Sequence, residues 1–197
     1  MEYSAPSVAI TFDDGPDNTH TPHLLGLLRS QGICCTFFVV GNRVTRNPAL
    51  LRQMLADGHE IGNHSWSHQR LDVLKTEDFL LEVQRCHDAI QNATGVATRL
   101  FRPTYGCLLT SQKSLIIDHF NYRIVRWNVD PNDWKRPGID SIVSHTATSA
   151  TNGSIILLHD IHASTVAAIP PLLSKLSEMG FKFSTISQLS KNEPHKS

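Results

Sequence analysis

The sequence predicts an α/β protein in which parallel strands form a barrel-like core and helices lie outside it. Short apolar runs alternate with amphipathic helical segments along nearly the whole chain, which is typical of parallel strands joined by helical crossovers. About seven such units follow one another without a long linker, and this favours a barrel over an open sheet. An open doubly wound sheet stays an alternative from the pattern alone. The length of 197 residues indicates one domain.

The predicted strands are short apolar runs rich in β-branched and aromatic residues. They lie at 8–12, 36–40, 60–62, 99–102, 123–128, 154–159 and 182–185. In a parallel barrel the functional site lies at the carboxyl ends of the strands. Residues with chemical capability should therefore follow these runs directly.

The helices are predicted from periodic apolar residues and from start and stop signals. Thr21 is a predicted N-cap with Pro22 in the first helical position, and Gly32 ends that helix. Thr110 is another predicted N-cap, and Pro170–Pro171 must start or kink the last helix. The other predicted helices run from Asn47-Pro48 to Gly58, over 76–92, 110–120 and 140–150, and up to Met179 before Gly180.

Composition excludes some classes of function. The formal net charge is +0 with a pI near 7.2, and no basic stripe is present, so nucleic acid is not expected as a main partner. No apolar stretch reaches the length of a membrane span. Residues 1–6 lack a signal-peptide pattern, which predicts either a cytoplasmic protein or a trimmed form of an exported one. The polar tail 191–197 is predicted to be flexible.

The cysteines show neither zinc-knuckle nor redox-pair spacing. Cys34 and Cys35 adjoin a predicted buried strand, so we expect them mainly in the core. A disulfide that involves Cys86 or Cys107 stays open at this point.

Two adjacent carboxylates, Asp13 and Asp14, end the first apolar run and meet the turn Gly15–Pro16. At a strand end such neighbours point in different directions, so one can bind a cation while the other takes a proton. An ordinary turn rich in Asp and Gly is the alternative interpretation.

His64 and His68 follow the third predicted strand. A spacing of four residues places both imidazoles on one side of a helical turn, where they reach one ion. Two histidines and one carboxylate would complete a zinc site with an open position for water. Because the chain has 11 histidines, a chance pair at this spacing is the alternative.

Three further strand ends carry reactive side chains: Arg102, the acids of 130–134, and His159. A fixed guanidinium can hold a carboxylate, and an acid beside an indole can orient a histidine next to a sugar-binding wall. The alternatives are a solvated surface arginine, a turn with Asp and Pro, and a histidine satisfied in the core.

Taken in order, these segments resemble the polysaccharide deacetylases of carbohydrate esterase family four, the NodB-homology domain. The matching segments are Thr11-Phe12-Asp13-Asp14-Gly15-Pro16, His64-Ser65-Trp66-Ser67-His68, Arg102-Pro103-Thr104-Tyr105, Asp130 through Trp134, and Leu157-Leu158-His159. The resemblance implies a distorted, incomplete (β/α) barrel formed by a single catalytic domain over 1–197.

The resemblance also implies a role for each matching residue. The implied ligands of a divalent metal, usually zinc, with cobalt or another ion as alternatives, are Asp14, His64 and His68. The implied catalytic residues are the base Asp13, the acid His159, Arg102 that holds the base, Asp133 that orients the acid, and Tyr105 whose backbone N–H faces the oxyanion. The implied pocket walls are Trp134, Leu157 and Tyr105. One departure is visible: the family usually has proline where this chain has Thr104, which predicts a looser turn before Tyr105.

The implied activity is metal-dependent removal of N-acetyl groups from a polysaccharide that contains N-acetylglucosamine. Peptidoglycan is the first expectation, and chitin or chitooligosaccharides and O-acetylated xylan are alternatives. A non-catalytic carbohydrate-binding protein is the alternative from another class. The family implies an extracellular or cell-envelope location, and we expect a monomer.

Overall fold

The computed structural model describes residues 5–191 and contains one parallel sheet. Its strands are β1 Ser7–Asp13, β2 Thr36–Val39, β3 Glu60–Asn63, β4 Leu100–Phe101, β5 Arg123–Ile124, β6 Ile155–His159 and β7 Lys182–Phe183. They are ordered β5-β4-β3-β2-β1-β6, and β7 pairs with the beginning of β1. The predicted alternation of strands and helices is confirmed, although β4, β5 and β7 are shorter than expected.

Helices surround this sheet. They are α1 His20–Ser30, α2 Gly41–Val44, α3 Pro48–Ala56, α4 Thr76–Thr94, α5 Thr110–Phe120, α6 Ile139–Ser149, α7 Ala163–Glu178 and α8 Ile186–Lys191. The sequence did not predict α2 or α8. Within the described part of the chain, none of these helices is long and apolar enough to cross a membrane. The predicted flexible tail lies, from residue 192 onward, outside the described residues.

The sheet curves into a half-barrel. After β5 the chain crosses to the far edge, where Val129 forms an isolated parallel bridge with Ile156 of β6. The Leu157 N–H donates to the Val129 carbonyl oxygen at 2.9 Å. This bridge takes the place of a full strand pair, so the predicted distorted, incomplete (β/α) barrel is confirmed and the open doubly wound sheet is excluded.

Apolar side chains pack on both faces of the sheet. Phe12 and Leu158 belong to the large core between the strands and the outer helices. On the inner face, Ile186 and Leu189 of α8 pack against Ala9. Because side chains alternate along a strand, Ala9 shares its face with Thr11 and Asp13. Helix α8 therefore fills the inside of the half-barrel near the start of β1, while Thr11 and Asp13 lie toward the carboxyl end of that strand.

Two predicted helix caps were wrong. Thr21 lies inside α1, and the Asp17 carboxylate accepts the N–H groups of Thr19 and His20 at 2.9 and 2.7 Å instead. Thr110 is the first residue of α5. There the backbone N–H of Leu109 donates to the Gln112 side chain at 3.0 Å, which satisfies the same need for an acceptor. In both cases a carboxylate or amide near the helix start replaces the expected hydroxyl.

Pro170 and Pro171 lie inside α7, so of the two predicted alternatives, a start or a kink, the start was wrong. The four cysteines are unpaired, so no disulfide forms. Cys86 is buried, which raises the pKa of its thiol to about 12. Cys35 is buried as expected, whereas Cys34 is partly exposed, so its placement in the core was wrong.

Candidate active site

Strand register brings the first two candidate residues together. Asp13 at the end of β1 pairs with His159 at the end of β6, and Thr11 pairs with Leu157 two residues earlier. Paired residues of parallel strands point to the same face. All four side chains therefore lie on the inner face of the half-barrel, at the carboxyl ends of its strands.

Asp13 is held by a buried arginine. Arg102 Nη1 donates to Asp13 Oδ1 and to Thr11 Oγ1, both at 2.7 Å. The guanidinium carbon lies 4.0 Å from the ring centre of Phe38, and the residue is 0% exposed. Burial lowers the pKa of Arg102, and Asp13 opposes that shift. The solvated surface arginine is thus excluded: a buried cation fixes one oxygen of Asp13.

Asp14, His64 and His68 converge beside this pair, and their donor atoms lie within 4.8 Å of one another. Asp14 Oδ1 is 2.9 Å from His68 Nε2 and 3.5 Å from His64 Nε2, yet this buried oxygen has no hydrogen-bond partner. Burial raises the pKa of the Asp14 carboxyl, but the two imidazoles outweigh it and hold that pKa far below its usual range. Asp14 is therefore ionised.

The orientation of His64 fits a metal ligand. Its Nδ1 lies 2.8 Å from the backbone carbonyl oxygen of Arg102. Because a carbonyl oxygen only accepts, Nδ1 carries a proton, and Nε2 is the atom that presents a lone pair when the ring is neutral. Burial lowers the pKa of His64, but Asp13 and Asp14 outweigh it and raise this pKa, so the position attracts positive charge. This donor set suits a divalent cation.

The backbone of this segment is irregular. Asp14, Ser65 and His68 have φ values of 76°, 67° and 63°, in the left-handed region that residues other than glycine rarely adopt. The chain from Ser65 to His68 forms no helix, so the predicted helical turn was wrong, although both histidines do face Asp14. Strained backbone of this kind is frequent at functional sites.

A buried carboxylate holds the segment from His64 to His68, called the histidine loop below, in this conformation. Glu82 of α4 accepts the backbone N–H groups of Trp66 and Ser67 at 3.1 and 2.9 Å. Its other oxygen accepts the Ser67 hydroxyl at 2.8 Å. Asn63 Oδ1 accepts the backbone N–H of Ser65 at 2.9 Å. These bonds provide acceptors for successive amides that an irregular loop leaves unpaired.

On the opposite side of the cleft, Asp133 contacts His159. His159 Nδ1 donates to Asp133 Oδ1 at 2.8 Å, and the backbone N–H of His159 donates to Oδ2 at 2.8 Å. The Thr165 hydroxyl also donates to Oδ2, at 2.7 Å. Burial lowers the pKa of His159, but the hydrogen bond and charge of Asp133, together with the charges of Asp13 and Asp14, outweigh it and raise this pKa to about 9. His159 is therefore protonated at neutral pH and is not a neutral core histidine.

These groups surround a cleft of about 400 Å³. Its lining residues are Asp13, Asp14, His64, His68, Tyr105, Trp127, Asp130, Trp134, Leu157 and His159. Tyr105 and Trp134 are 61% and 51% exposed at its rim. Of the predicted site residues, Arg102 and Asp133 lie behind the cleft wall, and the structure brings all the others to its surface.

Comparison with known proteins assigns this chain to a family. The model of the family described as Polysaccharide deacetylase matches residues 1–125, more than half of the 197 residues. The chain belongs to the polysaccharide deacetylase family. Deacetylases of this family are metal-dependent, and Asp14, His64 and His68 form a possible metal-binding triad.

Whole relatives in the polysaccharide deacetylase family extend the similarity over 92% or more of the chain. A peptidoglycan-N-acetylglucosamine deacetylase of Bacillus cereus is 40% identical over 92% of this chain and 87% of its own length. A chitooligosaccharide deacetylase of Sinorhizobium fredii is 37% identical over 93% and 92%. Listeria monocytogenes PgdA, a peptidoglycan-N-acetylglucosamine deacetylase, is 35% identical over 92% of this chain. This chain spans 38% of PgdA's length.

Solved structures of the family share the fold. Peptidoglycan deacetylase PdaC from Bacillus subtilis superposes with a TM-score of 0.91 at 35% identity, over 96% of this chain and 92% of that one. BA3943 from Bacillus anthracis, described as a pseudoenzyme of the family, superposes with a TM-score of 0.88 at 28% identity, over 94% and 66%. Membership of the polysaccharide deacetylase family therefore establishes the fold, and catalysis has to be argued from the site.

Several residues that form or support the cleft were not predicted. Trp127 lines the cleft, while Thr11, Glu82 and Thr165 support it from behind. A period of two along β1 would have placed Thr11 on the face of Asp13. Glu82 occupies the apolar face of α4, three residues after Phe79, and a charge at such a position is a signal for a buried partner. No sequence signal pointed to Thr165.

Proposed function

We propose that this chain is a metal-dependent deacetylase that hydrolyses N-acetyl groups on a polysaccharide containing N-acetylglucosamine. The observation that carries the proposal is the arrangement of three charge systems around one cleft: Asp13 with Arg102, the Asp14 triad, and His159 with Asp133. A carbohydrate-binding protein that had lost its catalytic residues would be expected to lack one of these systems. The non-catalytic alternative therefore has less support.

In this mechanism Asp13 is the general base. One of its oxygens pairs with Arg102 at 2.7 Å, and Oδ2 lies toward the histidine side, 3.6 Å from His64 Nε2. The pairing orients the Asp13 carboxylate, which accepts the proton of the attacking water. His159, protonated at neutral pH, donates its Nε2 proton to the departing amine while Asp133 stabilises the imidazolium. The products are acetate and a free amine.

Asp14, His64 and His68 would hold the divalent cation, with zinc the first candidate for two imidazoles and one carboxylate. Such a cation supplies Lewis acidity that polarises water and the acetyl carbonyl. Tyr105 is proposed to donate its backbone N–H to the developing oxyanion. Trp134 and Leu157 are proposed as walls for the sugar ring and the acetyl methyl group, and both line the cleft.

Peptidoglycan is the proposed substrate, because the Listeria monocytogenes and Bacillus cereus relatives are named peptidoglycan-N-acetylglucosamine deacetylases and match 92% of this chain. Chitooligosaccharides are the second candidate, favoured by the Sinorhizobium fredii relative, and O-acetylated xylan is a third. The same relatives support a location at the cell envelope. We further propose that the chain acts as a single catalytic domain and as a monomer.

The proposal is tested by the release of acetate from peptidoglycan fragments, chitooligosaccharides and acetylated xylan, with products identified by mass spectrometry. We expect the N-acetylated glycans to lose acetyl groups, chelation to abolish turnover, and added zinc or cobalt to restore it. Full activity in excess chelator would contradict the metal dependence. Failure to release acetate from every substrate, with zinc present, would contradict the enzyme and leave the carbohydrate-binding alternative.

The same assay separates the two adjacent carboxylates. Asp13→Asn should keep bound zinc but lose about a hundredfold or more of kcat, since base catalysis is typically worth that much. Asp14→Asn is the matched variant and should lose zinc, as measured by titration calorimetry. An Asp13→Asn enzyme as fast as the parent would show that another group is the base.

A further inference from the structure

A hydrogen bond is present in the turn before Tyr105, where the resemblance drawn from the sequence implies proline and this chain has Thr104. Thr104 is 0% exposed. Its hydroxyl donates to the backbone carbonyl oxygen of Gln69 at 2.5 Å. Proline has no hydroxyl and cannot make this bond. The expected loosening of the turn is therefore opposed by a contact that the sequence did not reveal.

This bond joins two segments of the cleft that are distant in sequence. Gln69 directly follows the candidate metal ligand His68, and Tyr105 directly follows Thr104. The rings of His68 and Tyr105 meet edge to face with centroids 4.9 Å apart. The contact through Thr104 and the contact between the rings thus lie side by side.

The turn holds its central residue in a backbone conformation that needs support. Tyr105 adopts a φ of 57°, and its side chain is largely exposed. The N–H groups of Gly106 and Cys107 close the turn by donating to the carbonyl oxygens of Pro103 and Thr104 at 3.0 and 3.2 Å. A residue in the left-handed region costs free energy that surrounding contacts must offset. The buried Thr104 hydroxyl is such a contact.

We propose that Thr104 is a positioning residue: its hydroxyl holds the Tyr105 turn against the histidine loop and so replaces the rigidity that proline gives by fixing φ. This inference rests on the deacetylase function proposed above. Because the turn presents Tyr105 to the cleft, its position matters most when charge develops on the reacting carbonyl. Loss of the bond should therefore lower kcat more than it raises KM.

Two substitutions isolate the hydroxyl. Thr104→Val keeps the shape of the side chain and removes the donor, while Thr104→Ser keeps the donor and removes the methyl group. With zinc in excess, we expect Thr104→Val to lower kcat on a chitooligosaccharide or peptidoglycan fragment about tenfold, with KM near that of the parent. Thr104→Ser should stay within about twofold of the parent kcat.

A second measurement does not depend on activity. Hydrogen exchange of a peptide covering 102–108 should be about threefold or more faster in Thr104→Val than in the parent, and restored in Thr104→Ser. Exchange in β1 should be the same in all three proteins, which controls for a general loss of stability.

Each outcome decides the proposal. Faster exchange with lower kcat in the valine variant alone supports it. Parent-like exchange or parent-like kcat in Thr104→Val overturns it, and so does equal loss in the valine and serine variants, which would assign the effect to the methyl group. If the parent releases acetate from no substrate, the deacetylase function is wrong, and the exchange data alone then decide whether the hydroxyl holds the turn.

Discussion

The two sides of the cleft are built in different ways. On the metal side, Asp14, Ser65 and His68 lie in irregular backbone with positive φ values. On the acid side, His159 ends a regular strand whose register against β1 is fixed over five residue pairs. His68 depends on an unusual local conformation and His159 on the continuity of the sheet, although its partner Asp133 follows Asn132, which has a φ of 53°.

The supporting side chains differ accordingly. On the metal side, Glu82 contacts backbone and hydroxyl donors of the loop and touches neither imidazole through these bonds. On the acid side, Asp133 contacts the imidazole itself. Glu82 fixes the conformation of the loop, and Asp133 stabilises the positive charge of His159. Changes on the metal side should therefore appear in metal affinity, and changes on the acid side in the pH dependence of turnover.

The largest effect should come from Asp133→Asn. The hydrogen bond and charge of Asp133 are the main cause that raises the pKa of His159 from 6.5 to about 9 against the effect of burial, and the charges of Asp13 and Asp14 add to it. Without Asp133 only those two charges oppose burial, so this pKa should fall and His159 should lose much of its proton at pH 8. We expect kcat at pH 8 to fall about a hundredfold or more, since an acid catalyst contributes that much. The descending alkaline limb of the pH–rate profile should move downward from near 9.

The same pair predicts a pH dependence of folding. Because the folded pKa is raised, the stability that the pair contributes is complete below 6.5 and is lost as the pH rises through about 9. Denaturant unfolding of the parent should show this loss, and Asp133→Asn should not. Zinc affinity should be unchanged in Asp133→Asn at pH 7; a large loss there would show that the two sides are not separate.

An intermediate effect is expected on the metal side from Glu82→Gln. The amide still fills the space but cannot accept as strongly from three donors, so the loop of Trp66 and Ser67 should loosen. Groups that orient metal ligands are typically worth about tenfold or more in metal affinity. We expect zinc to bind about tenfold more weakly by titration calorimetry.

Glu77→Gln is the matched control for that experiment, because Glu77 lies exposed in the first turn of the same helix. It should leave zinc affinity at the parent value. With zinc saturating, the alkaline limb of Glu82→Gln should coincide with that of the parent. A shifted limb would mean that Glu82 acts through charge, contrary to the distinction between the two sides.

Much of this site was predictable because strand ends are visible in the sequence. Asp13, Arg102 and His159 each follow an apolar run, and the order of parallel strands brings such positions to one edge. The segments whose structure follows from local pattern were therefore placed correctly. The family resemblance added the separate roles of Asp13 and Asp14, which stay predictions.

What the sequence did not reveal depends on long-range contacts. The pairing of Arg102 with Asp13 joins residues 89 positions apart; only the family resemblance predicted it, because nothing near Arg102 in the sequence distinguishes it from a solvated arginine. The histidine loop is irregular because Glu82, from another element, accepts its N–H groups. Helix α8 is stabilised by packing inside the half-barrel, since its six residues are too few to form a helix alone.

The smallest effect should come from Thr165→Val, and here the direction of the pH shift is the informative result. The Thr165 hydroxyl donates to Asp133 Oδ2 at 2.7 Å and so shares the negative charge that faces His159. Its removal concentrates that charge, and the alkaline limb should move upward by less than about one pH unit, opposite to Asp133→Asn. We expect kcat at its optimum to fall about two- to fivefold, because Asp133 loses a bond that orients it. Thr165→Ser should restore both values. A downward shift of the alkaline limb would mean that Thr165 stabilises the imidazolium by orienting Asp133 rather than by reducing its negative charge. The acid side would then depend on geometry, as the metal side does.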